Sequence, residues 1–319
     1  MWPVPPYVSD ALDFLSRSDS RDLPRGSGSR AGPRGSESRD VPPVTGSRAA
    51  PRASGSRDAP PLDVRLVRSM DEFAACEAMS REIWGAAERN VVPRELLLTM
   101  QQNGGLVHGA FFPNGRLVGF CFGFVGLRDG QLRLCSHQLG VLPEFRGGGI
   151  GIALKEAQRD DSLRLGYELV SWTFDPLEAR NAYINLHRLG CIARVYDRDH
   201  YGAMEDDLNR GLPSDRFEAE WWLRRPKPPT ATSGALAILR VGADGGPIRE
   251  PSHPSAGTTV LISIPPDFQQ VKRASHELAL RWRMESRAAF EASVTAGLVA
   301  VDFRREGTYV MAPNPGTEP

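Results

Sequence analysis

The chain has 319 residues, room for about two domains of roughly 150 residues each, and 39 basic against 39 acidic side chains, a formal net charge of zero. That balance excludes a global electrostatic pull toward nucleic acid or an anionic membrane. No apolar run reaches the roughly 18 residues that cross a bilayer, and the start, MWPVPPYVSDALDF, has neither the basic nor the long apolar region of a secretory signal. The four cysteines, Cys76, Cys121, Cys135 and Cys191, are far apart and form no CxxC pair, which argues against a disulfide framework or a metal site. The expectation is a cytoplasmic protein with no membrane, nucleic-acid or metal partner.

Residues 1–61 read as a disordered tail. From Arg17 onward the tract repeats Gly-Ser-Arg, as at Gly28-Ser29-Arg30, Gly46-Ser47-Arg48 and Gly55-Ser56-Arg57. It has too few large apolar side chains to offset chain entropy. Order is expected from 62. The run 62–67 alternates as a strand. Residues 70–84 have helical spacing, with Ser69 as N-cap and Glu72 three residues on. A second helix follows Val92-Pro93 and stops at Asn103-Gly104-Gly105. Three strands come next, at 106–112, 117–127 and 132–142, separated by the turns Pro113-Asn114-Gly115 and Asp129-Gly130. A helix to about 165, a strand at 169–174, a helix at 179–189, and strands at 192–196 and 217–223 complete the region 62–225. Residues 226–258 are rich in Pro, Gly, Ala and Thr and read as a linker, with only 235–241 strand-like. A β-α-β-β extension is expected over 259–313. Three hairpin strands followed by a βαβ crossover predict an α+β, mixed α/β architecture with a mixed central sheet.

The stretch that carries chemistry is Arg146-Gly147-Gly148-Gly149-Ile150-Gly151, between a strand and a helix. Glycines let the backbone turn tightly and converge several N–H groups, and the helix N-terminus adds partial positive charge, a combination that binds pyrophosphate. A dinucleotide-binding loop would follow the first strand of a βαβ unit, with an acidic residue ending the next strand. This loop follows several strands, although Asp175 lies near that acidic place. A phosphate loop of the Gly-Lys-Ser/Thr kind is absent. A purely structural glycine turn is the remaining alternative.

From Gln138 through Leu154 the strand, loop and helix resemble the acyl-CoA signature of the GNAT superfamily of N-acyltransferases. The core Arg-x-x-Gly-x-Gly is matched by Arg146, Gly149 and Gly151, and the Val-x-Pro lead-in by Val141 and Pro143. The resemblance covers about 62–223 and is to an uncharacterised bacterial branch. It implies a GNAT fold, whose mixed sheet has two splayed parallel strands flanked by helices. It also implies acetyl-CoA or another acyl-CoA as co-substrate. The pyrophosphate would lie on the backbone of Arg146, Gly147, Gly148, Gly149, Ile150 and Gly151. The pantetheine would lie on the backbone of Leu139, Gly140 and Val141, which would also polarise the thioester carbonyl. A second family element, a helix ending in Leu-Gly, is matched at Ala182, Leu189 and Gly190. There the slot that often holds a Tyr acid is Leu186, and Asn181 and Asn185 stand near the usual Asn position, where they would contact the CoA arm.

Amine acylation by direct attack needs a base, a carbonyl polariser and an acid for the departing thiolate. His137, on one cleft wall, is the candidate base, with packing on a strand as the bland alternative. Tyr183, His187 and Tyr201 are candidate acids, with Tyr196 beside them. Tyr183 and His187 are one helical turn apart and share a face. The implied activity is an N-acyltransferase of the EC 2.3.1 class, moving acetyl to a small-molecule amine in a ternary complex. The alternatives are a non-catalytic acyl-CoA sensor, which Leu186 favours, and a thioester enzyme acting on a carrier protein. A homodimer is left open. The C-terminal extension is expected to add strands to the sheet, to close the acceptor pocket, or to stand alone.

Overall fold

In a computed structural model of the chain, residues 48–50, 62–84, 91–204, 210–227, 230, 232–314 and 316 are described. The tail expected over 1–61 lies outside them, apart from a short strand β1, Arg48–Ala50. The other strands are β2 Leu62–Leu66, β3 Leu106–Phe111, β4 Leu117–Arg128, β5 Gln131–Val141, β6 Leu169–Phe174, β7 Ile192–Asp197 and β8 Arg216–Trp222, followed by β9 Leu236–Val241, β10 Pro247–Arg249, β11 Val260–Ser263, β12 Leu298–Arg304 and β13 Thr308–Pro313. The helices are α1 Met70–Trp84, α2 Arg94–Gln102, α3 Ile150–Arg164, the short α4 Ala179–Ala182, α5 Phe268–Ala274 and α6 His276–Thr295. Nearly every element expected from pattern is present. The Ser69 hydroxyl accepts the Glu72 N–H at 3.3 Å and caps α1. The β4–β5 turn has both Asp129 and Gly130 at positive φ, 54° and 73°, as the favoured two-residue hairpin turn requires.

All the described strands join one sheet in the order β1-β2-β3-β4-β5-β6-β8-β7-β12-β13-β11-β9-β10. Only β5 with β6 and β9 with β11 run parallel; the other pairs are antiparallel. The sheet is therefore mixed, as the hairpins and the crossover predict. Helices α1 and α2 cover one face of its first half, where Phe73, Leu97, Val107, Phe120 and Phe122 share a cluster. Helix α3 covers the opposite face, with Ile150 and Leu154 against Val64, Val118 and Cys121.

The stretch 226–258 differs from the expected linker. It carries β9 and β10, and β9 lies parallel beside β11 inside the sheet. Pairing with β11, which composition does not report, decides this. The second half shares a core with the first. Phe217 of β8 lies 4.9 Å, centroid to centroid, from Phe290 of α6, which lies 4.9 Å from Tyr309 of β13. The C-terminal block thus continues the sheet and packs on β8, whose Arg216 borders the cleft described next.

Candidate active site

The chain leaves β5 through a tight turn, Pro143–Phe145, and the Arg146 guanidinium folds back to donate to the Val141 carbonyl at 3.1 Å. Gly147 and Gly149 then adopt φ of 91° and 82°. L residues rarely take that conformation, so these two positions call for glycine. Gly149 is the N-cap of α3 and has no side chain to cap it. The first N–H groups of α3, at Ile150 and Gly151, have no intrahelical acceptor. They form the partly positive end of a 15-residue helix, directed at the loop.

Below the loop the sheet opens. Strands β5 and β6 are paired only at Leu134–Val170 and Cys135–Ser171. From Ser136 and Trp172 onward they separate, and the β6-facing edge of β5 has no ladder across the gap. The opening is a cleft of about 340 Å³. Its β5 wall is Ser136, His137, Gln138 and Leu139; Gly151 and Lys155 rise from α3, and Trp172, Thr173 and Phe174 form the β6 wall. A β-bulge marks the same place. The β4–β5 register passes from Gly123–Ser136 to Phe122–Gln138, leaving His137 as the extra residue. A bulge re-aims the side chain it carries. The His137 ring packs beside Phe122 and Phe124, at 5.4 and 6.0 Å between centroids, and burial holds its pKa below the ordinary value. It is therefore neutral near pH 7 and can accept a proton.

The charged groups of the cleft fall at two ends. At the fork stands Lys155, whose Nζ donates to Ser136 Oγ at 2.7 Å and to Gln158 Oε1 at 3.1 Å. Burial pushes its pKa down to about 8. At the far end lie Asp175, Glu178 and Arg216, with the neutral Gln269 beside them. Asp175 is forked by Arg283 of α6, at 3.0 and 2.6 Å, with Arg216 at 3.6 Å. Glu178 accepts from Gln269 Nε2 at 2.5 Å, and burial raises its pKa above the ordinary carboxylate value.

Of the residues singled out from sequence, His137, Leu139, Gly151, Asn181 and Asn185 line the cleft. Tyr201 is at its margin, its hydroxyl 2.8 Å from that of Thr173. Gly140 has a packing reason for its identity: a Cβ there would lie 2.7 Å from Ile83 Cδ1 of α1. Tyr183 and His187 do stack on each other, with centroids 4.7 Å apart. Their shared face, however, meets the C-terminal block and not the cleft. His187 Nδ1 is 3.0 Å from Asp302 Oδ1, and the Tyr183 hydroxyl accepts from Arg305 at 3.1 Å. The helix widens into a π-helical segment over Tyr183–Arg188, and Leu186 is fully buried. Tyr196 is partly buried and donates to Asp215 Oδ2 at 2.7 Å.

Sequence reasoning missed Lys155, Glu178 and Gln269. Lys155 is four residues after Gly151 and so shares its helix face; that spacing was the available signal. Gln269 comes from a different part of the chain and had none. Among the described residues no cluster of three or more His, Cys, Asp or Glu side chains can hold a metal ion, and no helix is long and apolar enough to cross a membrane.

No protein-family model matches the sequence, and no curated protein matches it. Among solved structures, the chain is similar to YncA from Salmonella typhimurium with its cofactor acetyl-CoA, at 18% identity over 53% of this chain and 98% of that one, TM-score 0.41. It is similar to the ribosomal-protein-S18-alanine N-acetyltransferase of Escherichia coli, at 15% identity over 53% and 99%, TM-score 0.41. It is also similar to an Arabidopsis thaliana protein in complex with the bisubstrate analogue CoA-Ac-MVNAL, at 15% identity over 50% and 97%, TM-score 0.39.

Proposed function

We propose that the chain is an acyl-CoA-dependent N-acyltransferase of the GNAT type, acylating a small amine by direct attack in a ternary complex. The observation that carries the reading is the parting of β5 and β6 after two parallel pairs, directly below a glycine loop and helix N-terminus. An extended pantetheine arm can lie along the unpaired edge of β5 while its pyrophosphate meets the N–H groups of Gly147 through Gly151. Bound there, acyl-CoA supplies the thioester that is attacked.

The residues of the chain supply the rest. Beyond the bulge, Leu142 donates its N–H to Val118 of β4, so by strand alternation the Gly140 N–H is also turned to β4, and those of Leu139 and Val141 face the gap where an oxyanion would be stabilised. His137, neutral and at the bulge, takes the proton of the incoming ammonium. Glu178, bonded to the neutral Gln269, is the carboxylate at the far end of the cleft that suits an amine, since Asp175 is already paired with Arg283 and Arg216. With Leu186 buried, the thiolate acid is assigned to Tyr201, held at the margin by Thr173. Acetyl is the acyl group that the sequence resemblance implies. The Leu at position 186, where a Tyr acid is often found in the family, favours a second reading, an acyl-CoA binder that catalyses nothing.

Thermal shift with CoA, acetyl-CoA and NAD tests the site. Stabilisation by CoA and acetyl-CoA is expected; stabilisation by NAD alone overturns the reading. Thiol release from acetyl-CoA with an amine panel then separates the enzyme from the binder.

A further inference from the structure

Where the cleft narrows to the fork between β5 and β6 there is one buried cation. Lys155 is 5% exposed, and its Nζ lies 3.6 Å from the centre of the Trp172 ring and 2.7 Å from Ser136 Oγ. Ser136 and Trp172 are the residues that follow the last parallel pair, Cys135–Ser171. The ammonium therefore stands at the inner end of the channel that an acyl thioester would enter.

No carboxylate is paired with it among the described residues. The buried thiols of Cys121 and Cys191 supply no counter-charge, because burial keeps both protonated and uncharged. The other cation of the cleft, Arg216, lies 3.6 Å from Asp175. A buried ammonium without a counter-charge is costly, and a neutral side chain of similar length would fill the same space at less cost. Ser136 and Gln158 use two of its three donors, and Trp172 offers only a ring face.

We propose that Lys155 selects the acyl group: it pairs with a terminal carboxylate, so the preferred donor is a short dicarboxylic acyl-CoA of the malonyl or succinyl class, not acetyl-CoA. The proposal rests on the acyl-CoA reading of the cleft. It changes no step of the transfer. The amine still attacks the thioester carbonyl, the C–S bond still breaks, and the distal carboxylate stays bound to Lys155 as a handle.

Calorimetric titration of the full chain at pH 7 with CoA, butyryl-CoA and succinyl-CoA tests this. Butyryl and succinyl have equal chain length and differ in the terminal charge. Succinyl-CoA is expected to bind at least about ten-fold more tightly than butyryl-CoA, the gain of one charge-assisted pair, and Lys155→Met is expected to close that gap. Equal affinities of the wild-type chain for the two, with CoA itself bound, overturn the proposal and leave the acyl-CoA reading standing. A gap that persists in Lys155→Met overturns it as well. Failure of the wild-type chain to bind CoA removes both. The wild-type comparison needs no variant, so a variant that does not fold leaves the test intact.

Discussion

Arg283 of α6 forks onto Asp175, which follows β6, with Nη1 3.0 Å from Oδ1 and Nη2 2.6 Å from Oδ2. The two residues are 108 positions apart in sequence, and their side chains are 2% and 13% exposed. The pair fastens the C-terminal block to the rim of the cleft, so the block is not an appendage beside it.

Removing one partner of a buried ion pair leaves a desolvated charge behind. Asp175→Asn and Arg283→Met are each expected to cost about 3 kcal/mol of stability. Urea unfolding of both single variants and of the double variant measures this. A double variant nearly as destabilised as either single one, instead of twice as much, is the signature of a coupled pair.

Gly149 separates a binding effect from a folding one. Gly149→Ala is expected to cost about 1 kcal/mol of stability, because φ is 82° there. Gly149→Asp is expected to add a negative charge at the helix N-terminus where the pyrophosphate would lie, and to abolish CoA binding. Calorimetry with CoA on both variants checks it, and unchanged affinity in Gly149→Asp counts against the loop as the site.

The Lys155 pKa is lowered from 10.5 to about 8, which corresponds to roughly 3 kcal/mol against the charged form in the folded state. The sign follows from proton counts. Between pH 8 and 10.5 the unfolded chain keeps a proton that the folded chain has released, so stability rises with pH across that window. Lys155→Met is therefore expected to be more stable than wild type at pH 7, with the difference shrinking toward pH 10. Denaturant midpoints at pH 7, 8.5 and 10 report it, and a difference independent of pH contradicts it.

His137 and Glu178 compete for the role of base, and pH profiles divide them. Burial lowers the first below 6.5 and raises the second above 4.5, so either produces an acid limb in which kcat/KM falls as the base is protonated. His137→Gln is expected to lower kcat by about 100-fold and to abolish that limb. Glu178→Gln is expected to raise KM for the amine and to keep the limb. The reverse pattern assigns the base to Glu178.

Much of the fold was legible because its signals are local. The capping Ser69, the Asp129-Gly130 turn and the glycine loop each depend on residues adjacent in sequence. The fork was not legible at residue level. In α3 the buried side chains include Lys155, Gln158, Asp161 and Ser162, a polar stripe that reads in sequence as a solvent face. It is buried because Ser136 receives Lys155 and because His108 of β3 meets Asp161 at 2.7 Å. The expected sharing of a face by Tyr183 and His187 was sound helical geometry, but spacing along a helix does not say which neighbour the face meets.

By itself, then, the sequence determined where the chain turns, where its helices start and where a phosphate could be cradled, since backbone preference and capping act over a few residues. Only the tertiary structure decided that β5 and β6 part after Cys135, that a lysine stands at the fork with no carboxylate paired to it among the described residues, and that Gln269 of α5 borders the cleft while Arg283 of α6 holds Asp175 at its far end. Those outcomes depend on desolvation and on partners up to 108 residues apart, which no local pattern encodes.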